Sequence, residues 1–231
     1  MIAKRSAAER GVERLDWLHS KHSFSFGRYF DPQHMGHGPL RVINEDKVVP
    51  GAGFGEHGHR DMEIISFVLN GALAHRDTLG SGSVIRRGQI QRMSAGTGIR
   101  HSEFNASETE AVHFLQIWIE PERKGLAPGY EEKAVDLDTP GIRLIGSRDG
   151  RDGSVTIHRD ADLYVVRPEP GKALRHSLRP GRIAWVQSTA GQMLVNGTRL
   201  AAGDGAAIDD LDSLEFVAND NAEALLFDMA A

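Results

Sequence analysis

Residues 51–77 read GAGFGEHGHRDMEIISFVLNGALAHRD, and this stretch decides the fold. A glycine-rich segment comes first, and residues 64–69 follow it as a run of β-branched and aromatic side chains that is typical of a strand. Asn70-Gly71 ends that run and predicts a tight hairpin turn. Residues 73–77 then supply the returning strand, so the stretch favours a sheet over a helix.

The same rhythm of short apolar runs separated by turn residues continues on both sides of this stretch. LRVINEDKVV, 40–49, predicts a second hairpin with its turn at 44–46. Residues 112–119 are apolar at both odd and even positions, which predicts a central strand buried on both faces. Strands resume after about residue 142 and include a further Asn196-Gly197 hairpin signal. The pattern as a whole predicts an all-β sandwich or barrel.

The segment PERKGLAPGY, 121–130, interrupts the strand pattern with two prolines, two glycines and several charges. A chain of 231 residues is long enough for two small β domains. We therefore predict an N-terminal domain over 1–122, a linker over 123–145, and a C-terminal domain over 146–231.

Composition excludes several classes of protein. The net charge of −5 is spread over well-mixed acidic and basic residues, which argues against a nucleic-acid-binding surface. No apolar run approaches membrane-spanning length, and the charged N-terminus lacks the apolar core of a secretory signal, so we expect a cytoplasmic protein without a membrane association. The chain has no cysteine. Any bound metal must therefore be held by histidine, carboxylate or backbone oxygen.

Two pairs of potential metal ligands have the same spacing. His57 and His59 are two residues apart, and so are His101 and Glu103. Side chains at positions i and i+2 of a strand lie on the same face. Two such pairs on neighbouring antiparallel strands would bring four donors to one point, a set that suits iron, manganese, nickel, copper or zinc. Histidines near glycines also occur by chance on surface loops, but two donor pairs are a more specific signal than one.

These residues lie in motifs that resemble those of the cupins. The pattern G-x5-H-x-H-x3-E at 51–63 is similar to the first cupin motif, although its next glycine, Gly71, comes one residue late. The pattern G-x2-H-x3-N at 98–105 is similar to the second motif, with Gly96 where proline is usual. Within the cupins, the chain resembles the bacterial members of the pirin family, through the segments HSFSFGRYFDP, LRVINEDKVVPGAGFGEHGHRDMEI, MSAGTGIRHSEFN and QIWIEP.

The resemblance implies two tandem jelly-roll cupin barrels, a bicupin. The first barrel would hold one divalent metal through His57, His59, His101 and Glu103. Iron is the first expectation, with zinc, manganese, nickel, copper and cobalt as alternatives. Spacing alone does not decide between Glu103 and Glu63 as the acidic ligand, and the family pattern favours Glu103. Glu63 would then hydrogen-bond a ligand histidine from outside. The second barrel has no similar set of histidines, and we predict that it is a degenerate cupin without a metal.

The resemblance also implies quercetin 2,3-dioxygenase activity, with a small aromatic substrate and O2 as partners and Glu103 as the group that accepts the substrate proton. Four phenylalanines are candidates for stacking on a flat substrate, although each is also a candidate for the barrel core: Phe24, Phe26, Phe54 and Phe114. His75 and Asp77 form another i, i+2 pair, for which a hydrogen bond is expected ahead of a further metal arm. The alternatives are a non-enzymatic metal-binding regulator that acts through a protein partner, and a dioxygenase with another native substrate.

Overall fold

The structure, a computed structural model, describes residues 1–231, and nearly all of its regular elements are β-strands. The predicted all-β class is confirmed. Only a single 3₁₀ turn, Arg151–Gly153, interrupts the strands, and no helix is long and apolar enough to cross a membrane. The chain divides into two compact units: the first contains residues 11–135 and 155–159, and the second contains residues 1–10, 136–154 and 160–231.

The first unit consists of two antiparallel sheets. Its strands are β2 (Gly11–Arg14), β3 (Leu18–His22), β4 (Leu40–Val48), β5 (Gly53–His59), β6 (Glu63–Asn70), β7 (Ala72–Asp77), β8 (Gly82–Arg86), β9 (Gln89–Ser94), β10 (Ile99–Asn105), β11 (Val112–Ile119), β12 (Gly129–Ala134) and the short β14 (Val155–Thr156). The larger sheet has the order β12-β9-β6-β11-β4-β3-β2, and the smaller one has the order β5-β10-β7-β8. Buried side chains from both sheets form one core cluster, which includes Val68 and Phe114 from the larger sheet and Leu73 and Ile85 from the smaller.

The second unit repeats this arrangement. Its strands are β1 (Ile2–Arg5), β13 (Gly141–Ser147), β15 (Ala161–Arg167), β16 (Leu174–Ser177), β17 (Arg182–Ala190), β18 (Gln192–Val195), β19 (Thr198–Ala201), β20 (Gly205–Ile208), β21 (Ser213–Val217) and β22 (Glu223–Ala230). One sheet contains the order β1-β20-β17-β22-β15-β13, and the other has the order β16-β21-β18-β19. The apolar residues between these sheets form a separate core cluster.

The predicted domain boundaries differ from those of the structure. Strand β1 pairs with β20, so the first residues of the chain belong to the second unit. The predicted linker, 123–145, contains β12, which pairs with β9 of the first unit, and most of β13, which pairs with β15 of the second. The backbone hydrogen bonds of these strands, which a composition signal does not reveal, determine where each segment belongs.

Two predicted hairpins are wrong, and one is confirmed. Residues 40–49 form the single long strand β4, and Asn44 and Asp46 lie within it and not in a turn. Asn70-Gly71 connects β6 of the larger sheet to β7 of the smaller one, so it is a corner between sheets. Gly71 has a φ of 81°, and a Cβ there would lie 2.8 Å from the Ala111 carbonyl oxygen. Asn196-Gly197 does join two paired strands, β18 and β19.

Gly53 allows β5 to approach β10 closely, and this contact can be tested. A Cβ at residue 53 would lie 2.3 Å from the Glu103 carbonyl oxygen and 2.5 Å from the Phe104 Cα. Because both atoms belong to the backbone, we expect Gly53→Ala to push the two strands apart and to lower the free energy of unfolding by about 1–3 kcal/mol. Urea denaturation measures this change.

Gly55→Ala is the matched control on the same strand, because a Cβ at residue 55 would have no atom within 4 Å. We expect its stability to stay close to that of the wild type. Equal stabilities for the two variants would show that the close approach of β5 and β10 does not constrain the sheet.

Candidate metal centre

The two predicted donor pairs lie on neighbouring antiparallel strands. Strand β5 pairs with β10, and His57 is directly opposite His101. On its other side β10 pairs with β7, which places Asp77 opposite His101. His101 therefore occupies a central strand and is 1% exposed, whereas His57 and His59 lie on the edge strand β5 and are half-buried. Backbone pairing brings the histidines together although more than forty residues separate the two pairs.

Three imidazole nitrogens converge on one point. The Nε2 atom of His101 lies 3.0 Å from His59 Nε2 and 3.1 Å from His57 Nε2. His57 Nδ1–H donates to the Gly55 carbonyl oxygen at 2.8 Å, which leaves its Nε2 as a bare acceptor. Two nitrogens bound at about 2.1 Å and at right angles to one cation would be about 3 Å apart. The spacing and the chemistry of the donors therefore fit a divalent metal ion.

The protonation of these imidazoles also suits metal binding. Burial, together with the charge of His57, lowers the pKa of His59 to about 4. Burial and the neighbouring histidines lower the pKa of His101 to about 2. Both rings are consequently neutral at physiological pH, and neutral imidazole is the form that binds a metal.

Glu103 lies beside this group of three histidines but is held by other partners. Ser66 Oγ donates to its Oε1 at 3.0 Å, and Gln116 Nε2 donates to its Oε2 at 2.5 Å. The strand register shifts between His101 and Glu103. A carboxylate oxygen of Glu103 lies within 4.8 Å of nitrogens of His101 and His75, whereas the group that includes His57 and His59 contains only the three histidines. Of the four predicted ligands, three thus face each other directly.

His75 connects His101 to a buried carboxylate. Its Nε2–H donates to Asp77 Oδ2 at 3.1 Å, so its Nδ1 is the acceptor nitrogen, and Gln91 Nε2 lies 3.1 Å from it. The Nδ1 of His101 lies 3.5 Å from the same atom. If His101 uses Nε2 for a metal, its proton lies on Nδ1 and is aimed at His75. Such outer hydrogen bonds fix the tautomer and orientation of a ligand histidine.

Glu63 does not form the predicted hydrogen bond to a ligand histidine. Its Oε2 accepts from Ser94 Oγ at 2.9 Å and from the ring and the backbone N–H of His158, at 3.1 and 3.3 Å. Glu63 is the first residue of β6 and pairs with Ser94 of β9. In the strand order, β9 lies on one side of β6, and β11 and β4 lie on the other. Its carboxylate thus connects the 155–159 segment to β6 within the first unit.

A cavity of about 480 Å³ opens beside the three histidines. Phe26 and Phe54 line it as predicted, whereas Phe24 is 2% exposed and Phe114 belongs to the core, so these two do not reach the cavity. Seven further residues line it that the sequence did not predict: Trp17, Asn44, Asp46, Gly53, Gly55, Gln116 and Trp118.

The aromatic walls pack edge to face. Trp118 meets Phe26 with ring centroids 5.3 Å apart, and it meets His59 at 4.9 Å. Trp17 meets Phe54 at 5.1 Å. One signal for Trp118 was available in the sequence. Gln116 is a polar residue in the largely apolar strand β11, and Trp118, two residues further along, faces the same side.

Comparisons with known proteins agree with this geometry. The family model for pirin matches residues 4–119, and the model for the quercetinase C-terminal cupin domain matches residues 144–229. Both units are thus cupin barrels, and the bicupin architecture is confirmed.

Whole-length relatives are also found. The chain is 44% identical to quercetin 2,3-dioxygenase of Escherichia coli K12 over 99% of both proteins, and 38% identical to a pirin-like protein of Caulobacter vibrioides over the full length of both. The crystal structure of the E. coli bacterial pirin YhhW in complex with nickel(II) superposes with a TM-score of 0.96 at 43% identity, covering 100% of this chain and 99% of that one.

Removing the acceptor behind His101 should weaken metal binding. We expect His75→Ala to lower the affinity for Ni(II), measured by calorimetry, by about 10–100-fold, because His101 loses the group that orients it. His75→Asn should lose less, since an asparagine amide can replace the Nδ1 acceptor. His113→Ala is the control, as His113 lies on β11 and pairs with Glu45. An unchanged affinity in His75→Ala would contradict the orienting role.

Glu103 should make the stability of the metal-free protein depend on pH. Burial raises its pKa from an ordinary 4.5 to about 7, against the effect of its two hydrogen bonds. Between these values the folded protein holds a proton that the unfolded chain has lost, so stability falls as the pH rises. Glu103→Gln removes this effect. Relative to the variant, wild type should lose about 1–3 kcal/mol between about pH 5 and about pH 8 in urea titrations with chelator.

Glu56→Gln is the control for this titration, because it removes an exposed carboxyl from β5. If the wild type and Glu103→Gln show the same pH dependence, the buried carboxyl does not hold the additional proton.

Proposed function

Because this chain belongs to the pirin family, we propose that it is a metal-dependent dioxygenase that cleaves a flavonol such as quercetin with O2. The observation that carries the proposal is the three facing imidazole nitrogens at the end of an aromatic cavity. A cavity of about 480 Å³ is of the size that small organic ligands occupy. The quercetin 2,3-dioxygenase name of the E. coli relative supports the choice of substrate.

His57, His59, His101 and Glu103 would hold the metal, for which iron is the first expectation. The bound metal would act as a Lewis acid that stabilises the substrate oxyanion and brings it together with O2. The nickel complex of the E. coli pirin is a property of that protein and leaves the metal of this chain open.

The protein's own contribution is to bind and orient the flat substrate. Trp118 and Phe26 form one aromatic wall, and its edge reaches His59, so a ring held against this wall lies next to the metal-binding nitrogens. Trp17 and Phe54 form a second pair of aromatic rings in the cavity lining. Apolar walls exclude water from the reacting atoms, which strengthens the electrostatic interactions inside.

Oxygen consumption with quercetin tests the proposal. Protein loaded separately with Fe(II), Mn(II), Ni(II) and Zn(II) should consume O2 with at least one metal, and the His57→Ala, His101→Ala double variant should lose the activity. A His34→Ala, His113→Ala double variant is the control, because it removes two histidines outside the cluster.

The outcomes distinguish the alternatives. If stoichiometrically loaded protein consumes no O2 with any of the metals, the dioxygenase proposal fails, and a regulator that acts through a protein partner becomes the leading hypothesis. Turnover that saturates only at high quercetin concentration would instead indicate a dioxygenase with another native substrate.

A further inference from the structure

Asp46 brings a buried carboxyl into the wall of the cavity. It lies two residues before the end of β4, is 3% exposed, and lines the cavity together with Asn44, Gln116 and Glu103. Its Oδ1 atom is buried and has no hydrogen-bond partner. Buried polar atoms are nearly always hydrogen-bonded in folded proteins. The hydroxyl of Ser20, opposite Asp46 on β3, also has no partner, so the Asp46 carboxyl retains acceptor capacity that a ligand in the cavity can use.

The other polar groups in the cavity wall are already engaged. Glu103 accepts one hydrogen bond at each carboxylate oxygen, and it is the acidic group assigned to the metal. Asn44 Oδ1 accepts from His22 Nδ1–H at 2.7 Å. His57 and His59 are assigned to the metal through their nitrogens. Asp46 is therefore the proton acceptor that remains available to a substrate.

We propose that Asp46, and not Glu103, is the base that takes the proton from the substrate hydroxyl. This inference rests on the proposed function. The substrate O–H bond breaks, a new O–H bond forms at an Asp46 carboxylate oxygen, and the electron pair stays on the substrate oxygen. The step needs no other reactant. It leaves Glu103 free to remain a metal ligand throughout, which removes the requirement that one carboxylate serve two purposes.

The environment of Asp46 suits proton exchange near neutral pH. Burial raises its pKa to about 7, and the charges of Glu45 and Glu13 act in the same direction, while the Ser20 hydroxyl of β3 opposes them. On its other side β4 pairs with β11, where Phe114 is opposite Asp46 and offers no charge. A base whose pKa lies near the working pH is the most effective in general acid–base catalysis.

Anaerobic binding of 3-hydroxyflavone, which has a single hydroxyl, tests this assignment without turnover. The absorption band of the flavonol moves to longer wavelength when the hydroxyl loses its proton. With metal-loaded wild type we expect the bound ligand to be the anion at neutral pH. In Asp46→Asn the same amount of metal should bind, but the rate at which the bound anion forms after stopped-flow mixing should fall by about 10²–10⁴-fold, and kcat for quercetin should fall with it.

Glu120→Gln is the control. Glu120 follows β11, pairs with Arg41 and does not line the cavity. Its bound flavonol should form the anion at close to the wild-type rate. Thermal denaturation of Asp46→Asn should show a folded protein, because the isosteric amide removes a charge that burial disfavours.

The possible outcomes separate this inference from the proposed function. If the bound anion forms much more slowly in Asp46→Asn than in wild type, Asp46 is the base even when no O2 is consumed. If Asp46→Asn forms the anion as fast as wild type and retains its kcat, Asp46 is not the base. If wild-type protein does not bind the flavonol, both the inference and the proposed substrate are overturned.

Discussion

The pairing of β5 with β10 is the constraint on which the rest of the site depends. It places His57 opposite His101 and brings His59 to the same point, so the Nε2 atoms of His57 and His59 lie 3.1 and 3.0 Å from the Nε2 of His101. His57 Nδ1–H donates to the Gly55 carbonyl oxygen, so its Nε2 presents a lone pair, and facing lone pairs repel in the absence of a shared proton or cation. The fold therefore maintains an arrangement that a cation would stabilise, and Gly53 permits it because a side chain there would separate the strands.

Local spacing in the sequence was sufficient to predict that His57 and His59 share one face of a strand, because the alternation of side chains along a strand is a property of the strand alone. It was not sufficient to predict which strands pair. The same Asn-Gly dipeptide forms a hairpin at residues 196–197 and a corner between two sheets at residues 70–71. The difference lies in the neighbours: β6 already pairs on both sides, with β9 and β11, and so β7 must enter the other sheet.

The place of Asn44 and Asp46 in the cavity wall could not be predicted from local sequence. Asn44 and Asp46 are polar residues in a short acidic segment, which is typical of a turn, and only the tertiary structure shows that they continue a strand between β3 and β11. The division into compact units also depends on distant contacts, since β1 joins the second unit by pairing with β20, about two hundred residues away along the chain. Interactions between distant segments overrode the local pattern in both cases.

Because two buried carboxyls border one cavity, metal binding and the protonation of Glu103 and Asp46 depend on each other. Burial disfavours ionisation of both Glu103 and Asp46, and the charge of Asp46 further raises the pKa of Glu103. Without a cation, the cavity therefore favours protons over negative charge. A divalent ion at the three histidines reverses that preference for the carboxyl that reaches it. In the proposed reaction the second carboxyl, Asp46, would remain as the exchangeable proton site beside the substrate, and each acid would have a separate purpose.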